Sequence, residues 1–95
     1  MNKVNFTEEN LSKIHISQFE QFLDNHGVEY DEFGGKILYD ILFPKDEGKS
    51  RIYLRWEYFL KMIYPEYVEG DLTQFHALFT QAYNEIMSYP IHEKE

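Results

Sequence analysis

The fold of this chain is decided by residues 28–64, which read VEYDEFGGKILYDILFPKDEGKSRIYLRWEYFLKMIY. Gly34 and Gly35 separate two apolar segments, and paired glycines readily adopt the positive φ angles of a tight hairpin turn. Residues 28–33 and 36–43 are therefore predicted to pair as strands, and residues 51–56 are predicted to add a third strand after a loop over residues 45–50. The middle of the chain is interpreted as a small antiparallel β-meander.

The same segment also fits two helices. One helical face behind a Ser50 cap would carry Ile52, Trp56, Phe59, Leu60 and Ile63, and another would carry Ile37, Leu38, Ile41 and Leu42. Short apolar runs are compatible with either type of element. An all-α fold of four short helices therefore remains the alternative to an α+β fold.

Amphipathic helices are predicted on both sides of this segment. Residues 7–26 show helical spacing between Thr7 as N-cap, with Asn10 at N3, and Gly27 as terminator. Residues 72–88 carry the clearest apolar stripe, with Asp71 as N-cap and Gln74 completing a capping box. The predicted architecture is α+β: an N-terminal helix, a β-meander and a C-terminal helix. It forms one domain over residues 1–95, with residues 1–6 and 90–95 frayed.

The composition predicts a folded protein of the reducing cytoplasm. Of the 95 residues, 43% are hydrophobic and 18% are aromatic, which suffices for a packed core. The chain has no cysteine, so disulfides, thiolate metal sites and cysteine nucleophiles are excluded. The N-terminus lacks the apolar stretch of a secretory signal, and no apolar run approaches the roughly 20 residues of a membrane helix. We expect a cytoplasmic protein, located in the host cytoplasm if a phage encodes it.

The net charge of −8 is unevenly distributed along the chain. Residues 1–35 contain seven acidic and two basic residues, residues 36–64 contain four and six, and residues 65–95 contain six and one. The middle is thus mildly basic, while both flanks are acidic. This balance argues against binding to a nucleic-acid backbone or to an anionic membrane.

No motif in the chain specifies a reaction, a metal or a cofactor. The four histidines form neither an HExxH pair nor a repeated i, i+4 arrangement with carboxylates. Gly34-Gly35 lacks the surrounding residues of a phosphate-binding loop, and no serine occupies a G-x-S-x-G turn. We predict a protein that is not an enzyme and that uses no metal or cofactor.

Acidic and aromatic residues alternate in two short segments, EYDEF at residues 29–33 and EYVEGD at residues 66–71. Tyrosine is enriched at protein interfaces because it offers a large amphipathic contact area at low entropy cost. Carboxylates around it would attract a partner with a basic surface. The predicted partner-binding residues are Glu29, Tyr30, Asp31, Glu32, Glu66, Tyr67, Glu69 and Asp71. Trp56 is assigned to the core.

These features predict a protein-binding module or inhibitor whose partner is a basic, nucleic-acid-handling protein. In its sharper form, the carboxylates mimic nucleic-acid phosphates. Only two alanines stand against 36 residues of types with AT-rich codons (Ile, Phe, Tyr, Lys, Asn), and small acidic phage inhibitors of host defence are similar in kind. Two alternatives remain: a nucleic-acid-binding regulator that uses the basic residues of segment 45–61, and an adaptor that forms a homo-oligomer such as a dimer.

Overall fold

All regular secondary structure in the described part of the chain is helical. The computed structural model describes residues 3–30, 34–43 and 49–92. These residues form α1 (Glu8–Ser12), α2 (Ile16–Asn25), α3 (Gly34–Leu42), α4 (Lys49–Ile63) and α5 (Leu72–Ser88). Helix α2 packs on α3 and α5, and α4 also packs on α3 and α5. The result is a small helical bundle in which α2 and α4 each contact the same two helices.

The prediction of an α+β fold with a β-meander is wrong, because the described residues form helices and no strand. Gly34 and Gly35 do not make a hairpin turn but begin α3, and residues 51–56 lie inside α4. Residues 28–30 have no regular structure, and residues 31–33 lie outside the described residues. The all-α alternative fits, and the described residues form five helices where four were expected.

Burial along α4 gives the physical reason for this correction. A strand would place Leu54 and Tyr58 on the same face as Ile52 and Trp56, because alternate residues share a face. Instead, Leu54 and Tyr58 are 56% and 76% exposed, while Ile52 and Trp56 are 3% and 1% exposed. In a helix, Ile52 and Trp56 lie on one face, whereas Leu54 and Tyr58 lie on the opposite face. The core therefore buries the first pair and leaves the second pair in solvent.

The predicted helix over residues 7–26 is interrupted at residues 13–15. His15 has extended backbone and caps α2: its Nδ1 atom accepts the Ser17 backbone N–H at 3.1 Å. The side-chain Oε1 of Gln18 accepts the His15 backbone N–H at 3.0 Å, which completes a capping box. Histidine is not among the preferred N-cap residues, so sequence reasoning missed this start. The break buries both Leu11 and Ile14.

Several of the predicted helix ends are confirmed. The Thr7 side chain accepts the Asn10 backbone N–H at 3.2 Å, and Gly27 follows α2 with a φ of 70°. Asp71 caps α5 by accepting the Gln74 backbone N–H at 3.0 Å. The Gln74 side chain, however, does not accept the Asp71 backbone N–H, so the predicted capping box does not form. This side chain accepts the Val68 backbone N–H at 2.8 Å and so holds the loop before the cap.

Aromatic rings fill the centre of the bundle. Trp56 is buried, as predicted, and its Nε1–H donates to the Leu42 carbonyl at 3.0 Å, which ties α4 to the end of α3. The ring of Phe6 meets Phe75 and Phe79 edge to face, with centroids 5.3 and 5.0 Å apart. Such pairs each contribute about 0.5–1.5 kcal/mol beyond their buried area. The N-terminal segment, for which we expected fraying, thus reaches the core through Phe6.

Helices α2 and α5 run antiparallel. Near the start of α2, the Gln18 side chain donates to the Tyr89 carbonyl at 2.9 Å, just beyond the end of α5. After the end of α2, His26 Nε2 lies 3.0 Å from both carboxylate oxygens of Glu85, one turn earlier in α5. The His92 backbone N–H also donates to the Ser17 hydroxyl at 2.9 Å, so the described part of the C-terminal segment lies against α2.

Candidate interaction surfaces

The packing of α2 on α5 joins the two acidic flanks of the sequence in one part of the molecule. We call residues 14–30 and 63–92 the acidic half, because these residues include no lysine or arginine. Its carboxylates are Glu20, Asp24, Glu29, Glu66, Glu69, Asp71 and Glu85. The sequence placed these groups in two separate segments, and the α2–α5 contact brings together the helices that carry Glu20, Asp24 and Glu85.

Tyr30 folds back along α2 among acidic side chains. Its hydroxyl donates to the Glu20 carbonyl at a long 3.4 Å. Burial, followed by a hydrogen bond and the negative charge of Asp24, raises the pKa of Tyr30 to about 12. Glu20 and Asp24 are four residues apart and share one helical face. Sequence reasoning did not select Glu20 or Asp24, although their spacing on a predicted helix was the available signal.

The loop between α4 and α5 is held from inside by Glu57. The Tyr67 hydroxyl donates to Glu57 Oε2 at 2.6 Å, and the Gly70 backbone N–H donates to the same oxygen at 2.9 Å. Burial first, and then the Glu57 carboxylate, raise the pKa of Tyr67 well above its usual value. Because this loop is tied to α4, its exposed carboxylates project from a fixed backbone.

The predicted partner-binding residues of this loop differ in their surroundings. Tyr67 is 2% exposed, so its ring belongs to the core, whereas Glu66 is exposed. Glu69 forms an exposed ion pair with Lys61 at 3.2 Å, and Asp71 is the exposed cap of α5.

In the other segment, Glu29 is exposed and Tyr30 is half-buried. Asp31 and Glu32 lie outside the described residues. The structure therefore brings Tyr30 beside Glu20 and Asp24. The assignment of all eight residues to a partner interface stays a prediction.

A cluster of polar side chains fastens α2 to α5 inside the acidic half. Glu85 accepts the Tyr89 hydroxyl at 2.5 Å as well as contacting His26. The Asn25 side-chain amide donates to the Tyr89 hydroxyl at 2.7 Å. Burial and the bond to Glu85 raise the pKa of Tyr89. Each of these side chains forms a hydrogen bond with another member of the cluster, and together they connect the end of α2 to the end of α5.

An apolar groove of about 340 Å³ lies between α3 and α4. Its lining residues are Leu38, Ile41, Leu42, Arg55, Tyr58, Phe59 and Met62. Tyr58 and Met62 are 76% and 51% exposed, which is unusual for large apolar side chains on one face. Sequence reasoning missed this groove because its main interpretation placed strands at residues 36–43 and 51–56.

The alternative of nucleic-acid binding depends on the basic residues of segment 45–61 and on three aromatic residues between them that would stack on nucleobases: Tyr53, Trp56 and Tyr58. Trp56 is buried and Tyr53 is half-buried, whereas Tyr58 is exposed. Lys45 lies outside the described residues, as does the side chain of Lys49. Among the aromatic residues of this segment that the alternative named, Tyr58 therefore has the ring most open to stacking.

The described residues contain neither a metal-binding cluster nor a membrane-spanning helix. Within residues 3–30, 34–43 and 49–92, no three His, Asp or Glu side chains converge as a metal-binding set. In the same part of the chain, the helices are too short or too polar to cross a bilayer.

The chain matches no protein-family model, and no curated protein or solved structure is significantly similar to it.

Proposed function

We propose that this protein is a non-enzymatic binding module that engages a protein with a basic surface through its acidic half. The observation that carries the proposal is the packing of α2 on α5, which brings together two chain segments that contain seven carboxylates and no lysine or arginine. Lys61 pairs with one of these carboxylates, Glu69, from outside the two segments. A concentrated negative field accelerates encounter with a basic partner and disfavours acidic ones. Tyr30 is held against α2, and the loop between α4 and α5 is held by Glu57. The backbone that carries these acidic residues is therefore fixed before a partner binds.

The sharper form of the proposal is inhibition by nucleic-acid mimicry. In this form the carboxylates of the acidic half occupy phosphate positions in the channel of a nucleic-acid-handling protein. Duplex DNA or single-stranded RNA added to the purified complex would then displace the protein competitively. If partner and nucleic acid bind together without competition, the mimicry form is wrong, while the binding-module proposal stands.

The experiment begins with capture of partners from a lysate of the source cell on the immobilised protein. Bound proteins are eluted with a salt gradient and identified by mass spectrometry. The best-represented basic protein is then purified and titrated against the wild type and two matched variants. The test variant is Glu29→Gln/Glu66→Gln, because both side chains are exposed in the acidic half. The control is Glu8→Gln/Glu9→Gln, which removes the same charge from exposed positions on α1.

The expected result is a Kd that rises about 3- to 10-fold for the test variant, since each exposed charge contributes about 0.2–1 kcal/mol. The control should bind like the wild type, and raised salt should weaken binding of both. Equal losses in the two variants would show that overall charge, not the acidic half, is responsible. Recovery of nucleic acid alone would overturn the proposal and favour the basic segment.

A further inference from the structure

The apolar side chains on the solvent face of α3 and α4 have no role in the acidic half. Of the eight large apolar side chains that are well exposed in the described residues, four lie on these two helices: Ile41, Leu54, Tyr58 and Met62. Leu54, Tyr58 and Met62 are spaced by four residues and form one ridge along α4. These side chains remain in contact with water, and a partner that covered them would gain binding free energy from burial of their apolar surface.

The shape of the groove suits a helix. It is bounded by two packed helices, and the exposed face of α4 from Arg51 to Met62 extends about 16 Å. That length matches about three turns of a bound helix, whose side chains at i, i+3 or i+4 and i+7 would enter the groove. The volume of about 340 Å³ is enough for a row of apolar side chains from one face of such a helix.

The charges around the groove favour an acidic occupant. Arg51 and Lys61 are exposed on α4, and Arg55 lines the groove while donating to the Ile41 carbonyl at 3.3 Å. Two acidic side chains are described on α3 and α4: Glu57 is buried against Tyr67, and Asp40 is exposed on α3 next to Ile41. The described side chains of the two helices thus include three cations and one exposed carboxylate. Lys61 is paired with Glu69, but both side chains are about half exposed. An exposed pair of this kind contributes little and can be exchanged for a partner carboxylate.

A second copy of the chain fits the groove less well. A two-fold interface brings the same patch of both subunits together, so Arg51 and Lys61 would face their own copies. Two chains of net charge −8 also repel one another as whole molecules. An acidic helix of a different protein avoids the first disadvantage, because its carboxylates would face Arg51 and Lys61 instead of a second pair of cations.

From these observations we infer that the α3–α4 groove is a docking site for an acidic amphipathic helix of a second protein. The site is distinct from the acidic half and has the opposite charge preference. The protein would then bind two different partners through two different surfaces. A negative result for the groove therefore leaves the proposal for the acidic half unaffected, and the reverse also holds.

The test is a selection from a library of displayed helical peptides of roughly 16 residues. Apolar residues are set at i, i+3, i+4 and i+7, and the remaining positions vary among Glu, Lys and Gln. The library therefore reports the charge that the groove prefers. We expect enrichment of Glu-rich peptides, whose binding is then measured by fluorescence anisotropy on the full-length chain.

Matched variants locate the bound peptide. Tyr58→Ser/Met62→Ser removes two exposed groove side chains and should raise the Kd about tenfold or more. Val68→Ser/Leu72→Ser removes two comparably exposed apolar side chains outside the groove and should stay within about twofold of wild type. Circular dichroism of both variants confirms that they fold. Equal effects of the two pairs would overturn the proposal.

A second pair of variants tests the charge. Arg51→Gln should weaken Glu-rich peptides about threefold and leave Gln-rich peptides unchanged, whereas Lys13→Gln, an exposed cation near α1, should affect neither. Enrichment of Lys-rich peptides, or of no peptide sensitive to the groove variants, would overturn the inference. So would a homodimer in sedimentation equilibrium that Tyr58→Ser/Met62→Ser dissociates, because the occupant would then be a second copy.

Discussion

At the scale of single residues, the buried carboxylate of Glu57 fixes the conformation of the exposed loop between α4 and α5. It is 8% exposed, and its Oε2 atom accepts hydrogen bonds from the Tyr67 hydroxyl and the Gly70 backbone. A buried carboxylate is costly unless such donors compensate for lost hydration. The two bonds therefore connect α4 to the loop that carries Glu66, Glu69 and Asp71, and they explain why Tyr67 faces inward.

Replacing Tyr67 by phenylalanine should destabilise the protein. The change removes the donor at 2.6 Å and leaves Glu57 Oε2 with the Gly70 N–H, which we expect to cost about 1–3 kcal/mol of unfolding free energy. Urea denaturation measures this loss. Tyr58→Phe removes the same hydroxyl from a side chain that is 76% exposed, and it should change stability by less than about 0.5 kcal/mol. Similar values for the two variants would contradict the role of Glu57.

Tyrosine ionisation should make the folded protein sensitive to alkali. Burial first, and then the negative charge of Glu85, raise the pKa of Tyr64 from 10.0 to about 12. Because the folded state holds this proton more tightly than the unfolded state, the contribution is complete below about pH 10 and is lost as the pH rises towards about 12. Unfolding free energies measured across this window should therefore decline.

The variants Tyr64→Phe and Tyr30→Phe separate the contributions to this decline. Each should flatten part of the loss between about pH 10 and 12, since the pKa of Tyr30 is also raised to about 12. In the double variant, the reduction in the alkaline loss of unfolding free energy should equal the sum of the two single reductions, because the two hydroxyls have different neighbours. A pH dependence that is unchanged in the double variant would mean that other groups cause the alkaline loss.

At the scale of elements, the ends of the helices are set by a few local contacts. Thr7, His15 and Asp71 each cap a helix through a side-chain acceptor, and Gly27 ends the segment after α2 in a left-handed conformation. Three of these four signals were readable in the sequence because a cap acts within a few residues. His15 was not, since its capping depends on the tautomer of its ring.

Gly27→Ala tests the end of α2. A Cβ atom at this position would meet nothing within 4 Å, so the cost comes from the backbone conformation alone and should be about 1–2 kcal/mol. Gly27→Asn should lose less, because asparagine adopts this conformation more readily. Chemical denaturation measures both variants. Equal stability of the alanine variant and the wild type would show that the left-handed conformation at residue 27 is not required.

At the scale of the whole molecule, charge is distributed unevenly among the described elements. The acidic half has seven carboxylates, whereas the exposed face of α4 has Arg51 and Lys61. This division follows the sequence pattern of acidic flanks and a basic middle. It also means that the folded state concentrates like charges that are further apart in the unfolded chain.

The stability of the protein should therefore increase with salt. Raising NaCl from about 0.02 to 0.2 M shortens the screening length to below about 10 Å and weakens repulsion within the acidic half. We expect the unfolding free energy to rise by several tenths of a kcal/mol or more, as measured by urea denaturation. Glu29→Gln/Glu66→Gln should be more stable than wild type at low salt and should depend less on salt. A variant as salt-dependent as the wild type would contradict this origin.

The sequence by itself determined the features that depend on neighbouring residues. The helix over residues 72–88, the caps at Thr7 and Asp71, the stop at Gly27 and the burial of Trp56 were all predicted correctly. Caps and apolar stripes act over one or two turns, so they can be identified without knowing the rest of the fold.

Only the tertiary structure decided between strand and helix for residues 34–42 and 49–63. That choice depends on which surface covers the apolar side chains: α3 and α4 bury theirs against each other and against α2 and α5. Only the fold could show that Tyr67 turns inward to Glu57, that the acidic flanks meet through α2 and α5, and that Tyr58 and Met62 border an open groove. Each of these features joins residues on different elements, and a local pattern contains no information about such contacts.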